Sequence, residues 1–187
     1  MYLVGIDEVG RGAIAGPLVV GVVVLDQDIL GLRDSKVLSR NQRLKLDVEI
    51  RQKALFVGLG WVSVIELERI GLSQALTLAS TRALSKLKLH PVRYVLDGNY
   101  NYLADRYTPL ELVVKGDASV ASISAASIVA KVARDSYMSK LATKLPEYGF
   151  EQHVGYATKS HLQALANYGV TPLHRKSFSP VKSLLKT

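Results

Sequence analysis

Cysteine is absent from the 187-residue chain. That excludes disulfides and thiolate metal sites, and it suits a reducing compartment. Long apolar runs are missing as well. The longest candidate, Leu18 to Leu25, falls far short of the roughly 18 residues that span a bilayer. Reading a strand from Tyr2 leaves no room for a secretory leader, so a cytoplasmic protein is expected. Acidic residues give out early: none follows Glu151, whereas Lys159, Arg175, Lys176, Lys182 and Lys186 do. Overall Lys+Arg exceed Asp+Glu by 24 to 16, and the formal charge of +8 favours polyanionic partners through steering and non-specific attraction. No repeat, long linker or low-complexity segment divides the chain, which predicts one domain over residues 1–187.

What is present begins with an apolar content of 48%, enough for one well-packed core. Tyr2 to Ile6 reads as a strand. Leu18 to Leu25 (LVVGVVVL) reads as a strand buried on both faces, entered through a Gly16-Pro17 turn. Leu30 to Leu38 reads as a loop. Ser39 and Gln42 can form a capping box for a helix to about Lys53, whose weak stripe of Leu44, Val48 and Arg51 suggests a surface position. Phe56 to Val62 has strand character, with Gly58 and Gly60 pointing to an edge or a bulge. Ser63 and Glu66 offer a second capping box before a helix that Gly71 interrupts. Leu72, Leu76, Ala79, Ala83 and Leu87 then mark one helical face. His90-Pro91 ends that connection. Val92 to Leu96 and Glu111 to Val114 are predicted strands that deliver Asp97-Gly98 and Lys115-Gly116-Asp117. A Ser- and Ala-rich helix, about Ala121 to Leu141, can approach a sheet closely, and another spans about Thr158 to Asn167. Clustered strands followed by alternating strand and helix place the chain in the α/β class, with a mixed sheet covered by helices.

Three strand ends carry acids: Asp7 with Glu8, then Asp97, then Asp117. A bare carboxylate entering a core is costly unless it is paired or bound to a cation. If the strands are neighbours, the carboxylates converge and either take up protons or hold divalent cations. Oxygen-only ligands favour Mg²⁺ or Mn²⁺ over Zn²⁺, and two such ions about 4 Å apart serve phosphoryl hydrolysis. Each acid also has a plainer use. Asp7 can simply pair with Arg11. Glu8 points to the opposite face of a regular strand, so a bend assisted by Gly10 would be needed. Asp97-Gly98 can be a turn, and Asp117 can satisfy free backbone donors ahead of the long helix. Asp34, Asp105 and Asp135 compete as ligands, and spacing does not establish convergence.

Taken in order, these segments resemble ribonuclease HII, the type 2 ribonuclease H family, through nearly the whole chain. Asp7-Glu8-Val9-Gly10-Arg11-Gly12 with Ala15-Gly16-Pro17 is similar to the family's opening motif. Asp34-Ser35-Lys36, Asp97-Gly98 and Lys115-Gly116-Asp117 follow in the expected order. Ser124 to Asp135 (SAASIVAKVARD) is similar to the long-helix motif. Tyr148-Gly149-Phe150, Gly155-Tyr156-Ala157-Thr158-Lys159, His161 and His174-Arg175-Lys176-Ser177-Phe178 complete the set.

The resemblance implies a ribonuclease H-like fold with a mixed five-stranded sheet flanked by helices. It adds a small C-terminal helical region, about residues 142–187, that helps hold substrate. It implies endonucleolytic cleavage of RNA in RNA–DNA hybrids, and 5′ to single ribonucleotides in duplex DNA, leaving 3′-hydroxyl and 5′-phosphate ends. Asp7, Glu8, Asp97 and Asp117 match the carboxylates that hold two Mg²⁺ or Mn²⁺ ions, with Asp7 bridging, Glu8 and Asp97 on one side and Asp117 on the other. Asp34 and Asp135 take structural or supporting roles. Gly10, Arg11 and Gly12 are implied to read the ribose 2′-hydroxyl, and Tyr156 to stack on the following sugar. Lys159, Lys176 and Lys182 are expected to face phosphates, although each by itself is an ordinary solvated lysine. His174 is expected to pack or hydrogen-bond outside the chemical step, and with no clustered histidine set a zinc site at His161 or His174 is a weak reading. Two departures stand out: Val154 where a lysine commonly precedes the glycine–tyrosine pair, and the tyrosine-rich loop Asn99-Tyr100-Asn101-Tyr102. A monomer is expected. The rival readings are a structure-specific DNA nuclease of related fold and a non-catalytic duplex-binding module.

Overall fold

The structure, a computed structural model, describes residues 1–32, 37–90 and 92–185. The Asp34-Ser35-Lys36 motif, Pro91 and Lys186 therefore lie outside the described residues. Strands β1 (Tyr2–Val9), β2 (Leu18–Leu25), β3 (Ala54–Val62), β4 (Val92–Asp97) and β5 (Leu110–Val113) form one sheet in the order β3-β2-β1-β4-β5. β1, β2 and β3 pair antiparallel, while β1–β4 and β4–β5 pair parallel. The predicted mixed five-stranded sheet is thus present. β2 is buried along almost all its length, as its unbroken Val and Leu run requires.

Helices α1 (Arg40–Lys53) and α2 (Val64–Leu84) begin at capping boxes closed by Ser39 with Gln42 and by Ser63 with Glu66. α2 covers one face of the sheet, where Leu76, Ala79 and Ala83 meet Ile6, Val20, Val22 and Leu96. Gly71 breaks its helical backbone at φ 79° and ψ 163°. The edge strand β3 carries Gly58 and Gly60 for a packing reason: a Cβ at either would overlap a carbonyl of α2, at Ala83 and Ala79. The irregularity of this pairing sits instead at Val24/Leu25.

After the single-turn α3 (Gly116–Ser119), the long α4 (Ala121–Ala142) crosses the opposite face with α1 beside it. Val23, Ile50, Ala125, Ile128 and Val129 share that core. The phase of α1 differs from the expected stripe. Leu46, Asp47 and Ile50 face inward, and Leu44 and Val48 are exposed. Its sparse apolar residues fit two phases, and packing on α4 selects the one that buries Ile50. Short helices α5 (Phe150–His153), α6 (Lys159–Tyr168) and α7 (Val181–Leu184) follow. Phe150, Ala164, Leu165 and Val181 share a further core with Ile14, Ala15 and Met138. Among the described residues no helix is long and apolar enough to cross a membrane.

Candidate active site

Parallel pairing of β1 with β4 sets the site. Ile6 pairs with Leu96, so Asp7 and Asp97 are the next residues on adjacent strands, both at the C-terminal edge of the sheet. Cross-strand neighbours share a face, and here that face is the α4 side. Asp7 is only 6% exposed; its Oδ1 accepts the Glu8 N–H at 2.8 Å, and its carboxylate also takes a hydrogen bond from Ser127 of α4. Burial pushes its carboxyl up to about 8; the Ser127 bond opposes that, and the charges of Glu8, Asp97 and Asp117 add to it.

Glu8 reaches the site without the bend that its position seemed to demand. The β1–β2 register runs unbroken to Val9 with Val19, so Glu8 stays on the α2 side of the strand. There the Tyr102 hydroxyl donates to its Oε2 at 2.9 Å, and Arg11 pairs with its Oε1 at 3.2 Å. Burial raises the Glu8 carboxyl, and these two partners counter it. The same burial, with the negative charge of Glu8, raises the Tyr102 phenol. The pocket lies off the strand ends, where side chains from both faces of the sheet can meet. It has a volume of about 450 Å³ and is lined by Asp7, Glu8, Val9, Asp97, Ser127, Lys131 and Tyr156.

Asp97 Oδ1 accepts the Gly116 N–H at 2.7 Å, which ties the strand end to the α3 turn. That turn opens at Lys115 in the left-handed region, φ 58°. Asp117 is buried in α3 beside Asp97 rather than lining the pocket, and its charge is felt at Asp7. The N-cap residue of α4 is Val120.

Among the described residues, no three acidic or histidine side chains stand close enough to make a ready cage for one ion. The carboxylates of Asp7, Glu8 and Asp97 turn to protein donors instead. Mg²⁺ needs no such cage, because it keeps several waters and takes one or two carboxylates together with substrate phosphate. The donors are all oxygens, and one carboxylate is buried deeply enough to hold a proton when no cation is near. That set fits Mg²⁺ or Mn²⁺.

The turn after β1 has Gly10 at φ 86° and buried, with Arg11 and Gly12 exposed. No atom lies within 4 Å of a would-be Cβ on Gly12, so its backbone is open to close approach. Tyr156 is half-buried and stands in the pocket wall, its ring 5.9 Å from Lys131 Nζ and 5.6 Å from Arg134 Cζ. Lys159, Lys176 and Lys182 are exposed and line no part of this pocket. Arg175, counted above with the basic tail, is fully buried.

Histidines do cluster, contrary to expectation. His153, His161 and His174 are buried together beneath the Tyr156 segment. The backbone N–H groups of Gly155 and Thr171 donate to His153 Nδ1 and His174 Nδ1. His174 Nε2–H then donates to His161 Nε2 at 3.1 Å, and His161 Nδ1–H to the Tyr156 carbonyl at 2.9 Å. In this arrangement the His161 and His174 rings each carry one proton. Burial holds His161 and His174 down at about 4.

Sequence reasoning assigned no role to Tyr102, Ser127, Lys131 or Arg134. The last three lie at spacings of four and three on α4, which was the available signal.

A mixed sheet of this order, with acids at the C-terminal ends of adjacent parallel strands, defines a ribonuclease H-like nuclease. The ribonuclease HII family model matches residues 4–181. The chain is 50% identical over 184 residues to a ribonuclease HII of Acidovorax sp. (strain JS42), covering 97% of this chain and 87% of that protein. The same figures hold for one from Acidovorax ebreus (strain TPSY). Ribonuclease H2 of Pyrococcus horikoshii OT3 superposes with a TM-score of 0.82 at 26% identity, covering 100% of this chain and 98% of that one. The Archaeoglobus fulgidus ribonuclease HII, solved in its complex with PCNA, gives 0.79 at 26% identity and 96% coverage of both chains. The chain belongs to the ribonuclease HII family, and it is a metal-dependent endonuclease.

Proposed function

We propose that the chain cuts RNA in RNA–DNA hybrids, and duplex DNA 5′ to a single embedded ribonucleotide, leaving 3′-hydroxyl and 5′-phosphate ends. Asp7, Glu8, Asp97 and Asp117 form its metal-holding set, and Gly10, Arg11, Gly12 and Tyr156 its ribose reader. The single observation that carries this is the pocket in which Asp7, Glu8 and Asp97 face Tyr156, with Arg11 bonded to Glu8 at the mouth of the ribose turn.

Asp7, Glu8, Asp97 and Asp117 would hold two Mg²⁺ or Mn²⁺ ions, which would supply an activated water and stabilise the departing 3′-oxygen. Asp7 sits among Glu8, Asp97 and Asp117 and feels the charge of all three, which supports the reading that it would be shared between the ions they hold. Tyr102 and Arg11 hold Glu8 in place, and the Gly116 N–H holds Asp97. Lys131, paired with Asp135 at 2.9 Å, brings positive charge to the pocket wall where a phosphate would lie. The exposed Arg11-Gly12 backbone can reach a 2′-hydroxyl, the group that separates RNA from DNA. The Tyr156 ring offers a flat surface to the next sugar. Lys159, Lys176 and Lys182 are assigned to phosphates on the C-terminal region, about residues 142–187. The site needs no second chain, so the monomer is taken as the working unit. A cytoplasmic location suits such a substrate.

The test is a duplex with one ribonucleotide beside an all-DNA duplex, with and without Mg²⁺. Cutting of the first alone, only with Mg²⁺, is expected. Cutting of both would replace this reading by a DNA nuclease, and binding without turnover by a duplex-binding module. Asp7→Asn should lower kcat at saturating Mg²⁺ by ~10²-fold or more, about 2.7 kcal/mol of transition-state stabilisation. Activity near that of the parent would remove Asp7 from the bridging position.

A further inference from the structure

Arg134 is 0% exposed, and its guanidinium donates only to main-chain carbonyls in the bonds observed. Nε bonds Pro17 O at 2.9 Å, Nη2 bonds Ala15 O at 3.1 Å and Nη1 bonds Val154 O at 2.8 Å. Burying a cation is costly, so a fixed three-way attachment of this kind calls for an explanation. The carbonyls belong to two separate segments. Ala15 and Pro17 follow the Gly10-Arg11-Gly12 turn, and Val154 stands two residues before Tyr156. The Arg134 side chain also fills the space a Gly10 side chain would need, and its guanidinium lies under the Tyr156 ring.

Backbone strain marks the same connection. Val154 adopts φ 44° and ψ 35°, a left-handed conformation that a β-branched residue rarely takes. Such a conformation persists only where its surroundings over-determine it. Here the strained residue's carbonyl is the one Arg134 holds, while Gly155 O accepts the Ile14 and Ala15 N–H groups at 2.9 and 3.2 Å. Buried Arg175 secures the turn from its other side, bonding Arg11 O and Gly16 O.

We infer that Arg134 is a positioning residue for ribose recognition, fixing the Gly10-Arg11-Gly12 turn and Tyr156 at one separation so that both engage the same ribonucleotide. This rests on the assignment of those two segments as the ribose reader. A lysine at this position keeps the charge but has one terminal nitrogen, so it cannot bond both segments as a fork does.

The experiment compares kcat and KM on a duplex with one embedded ribonucleotide and on an all-RNA hybrid, where many registers are available and exact placement matters less. Arg134→Lys is measured beside Tyr156→Ala, and beside Ile50→Val in the α1 core as a destabilised control, all well below their melting temperatures. The expected result is a fall of about 10-fold or more in the embedded-to-hybrid ratio of kcat/KM for Arg134→Lys, in the direction of Tyr156→Ala, with no change of ratio in Ile50→Val. Equal losses on both substrates for Arg134→Lys would reduce it to a structural residue and overturn the inference. If Tyr156→Ala shifts the ratio and Arg134→Lys does not, the positioning role alone fails. If Tyr156→Ala leaves the ratio unchanged, the reader assignment fails first. Should Arg134→Lys not fold, Val154→Gly tests the link from its other end. It relieves the strained φ and loosens the segment at the cost of a side chain packed on the C-terminal core, so the ratio should fall beyond any change seen in Ile50→Val, and an unchanged ratio counts against the proposal.

Discussion

Asp7 carries an electrostatic cost that only a proton or a cation removes. Its carboxyl is held at about 8 in the folded, metal-free protein against 3.8 for the free side chain. Between those values the folded state keeps a proton that the unfolded state has lost, so stability falls as pH rises through this window. In chelator, Asp7→Asn should therefore match the parent near pH 4 and exceed it increasingly towards pH 8, by an amount on the order of a few kcal/mol. Added Mg²⁺ should raise the parent's melting temperature and leave the variant's nearly unchanged. A melting difference that stays flat from pH 4 to 8 would contradict the assignment of this burial to Asp7. Tyr102 offers a second test at the same scale. Its hydroxyl is a neutral donor to the Glu8 carboxylate, a bond worth roughly 1.5–3 kcal/mol. Tyr102→Phe should raise the Mg²⁺ concentration needed for half-maximal cleavage about 10-fold, without altering the circular dichroism spectrum.

At the level of elements, α4 organises the site. Ser127, Lys131, Arg134 and Met138 recur at spacings of four, three and four, and they run from Asp7 through the pocket to the C-terminal core. The helix itself was legible from its Ser and Ala, which allow close approach, and in the structure Gly5 lies opposite them with no room for a Cβ. Its working face was not, because burial of Ser127 and Arg134 depends on which strands lie beneath. Both capping boxes and all five strands could be read locally, from side-chain oxygen spacing and apolar runs. The phase of α1 could not, since Leu44 and Val48 compete with Leu46 and Ile50 and only packing decides. Asp7, Glu8 and Asp97 were readable as strand-end acids, but their convergence needed the β1–β4 register.

The histidine cluster was hidden for the same reason: His153, His161 and His174 come from three segments that meet only in the folded C-terminal region. It has a pH consequence. His161 and His174 stay neutral down to about 4, whereas an unfolded histidine titrates near 6.5. The unfolded state takes up protons first, so stability falls as pH drops from 6.5 to 4. His161→Leu should be less stable at pH 7, having lost two hydrogen bonds, yet its melting temperature should depend less on pH across that window.

For the whole molecule, the formal charge of +8 overstates what a duplex would meet, because Arg134 and Arg175 point their charge inward at carbonyls. Among the described residues, the outward basic groups that follow Glu151 are Lys159, Lys176 and Lys182, all exposed. They sit on a region bonded to the opening loop through Gly155 O with Ile14 and Ala15, Arg175 N with Ile14 O, and Gly16 N with Leu173 O. A backbone held there would consequently be held in a fixed relation to the pocket. Phosphate contacts release counterions, so affinity should fall linearly with salt on logarithmic axes. Each lysine that meets a phosphate should lower that slope by about 0.9 when changed to alanine, and the triple Lys159→Ala, Lys176→Ala, Lys182→Ala variant by about 2.7. The penalty should appear in Kd, be greatest at low salt, and shrink as salt rises, with equal size on hybrid and embedded-ribonucleotide duplexes because phosphates carry no sugar identity at this distance. A lysine whose removal leaves the slope unchanged is a solvated surface residue. One whose removal alters the two substrates unequally belongs instead with the proposed ribose reader.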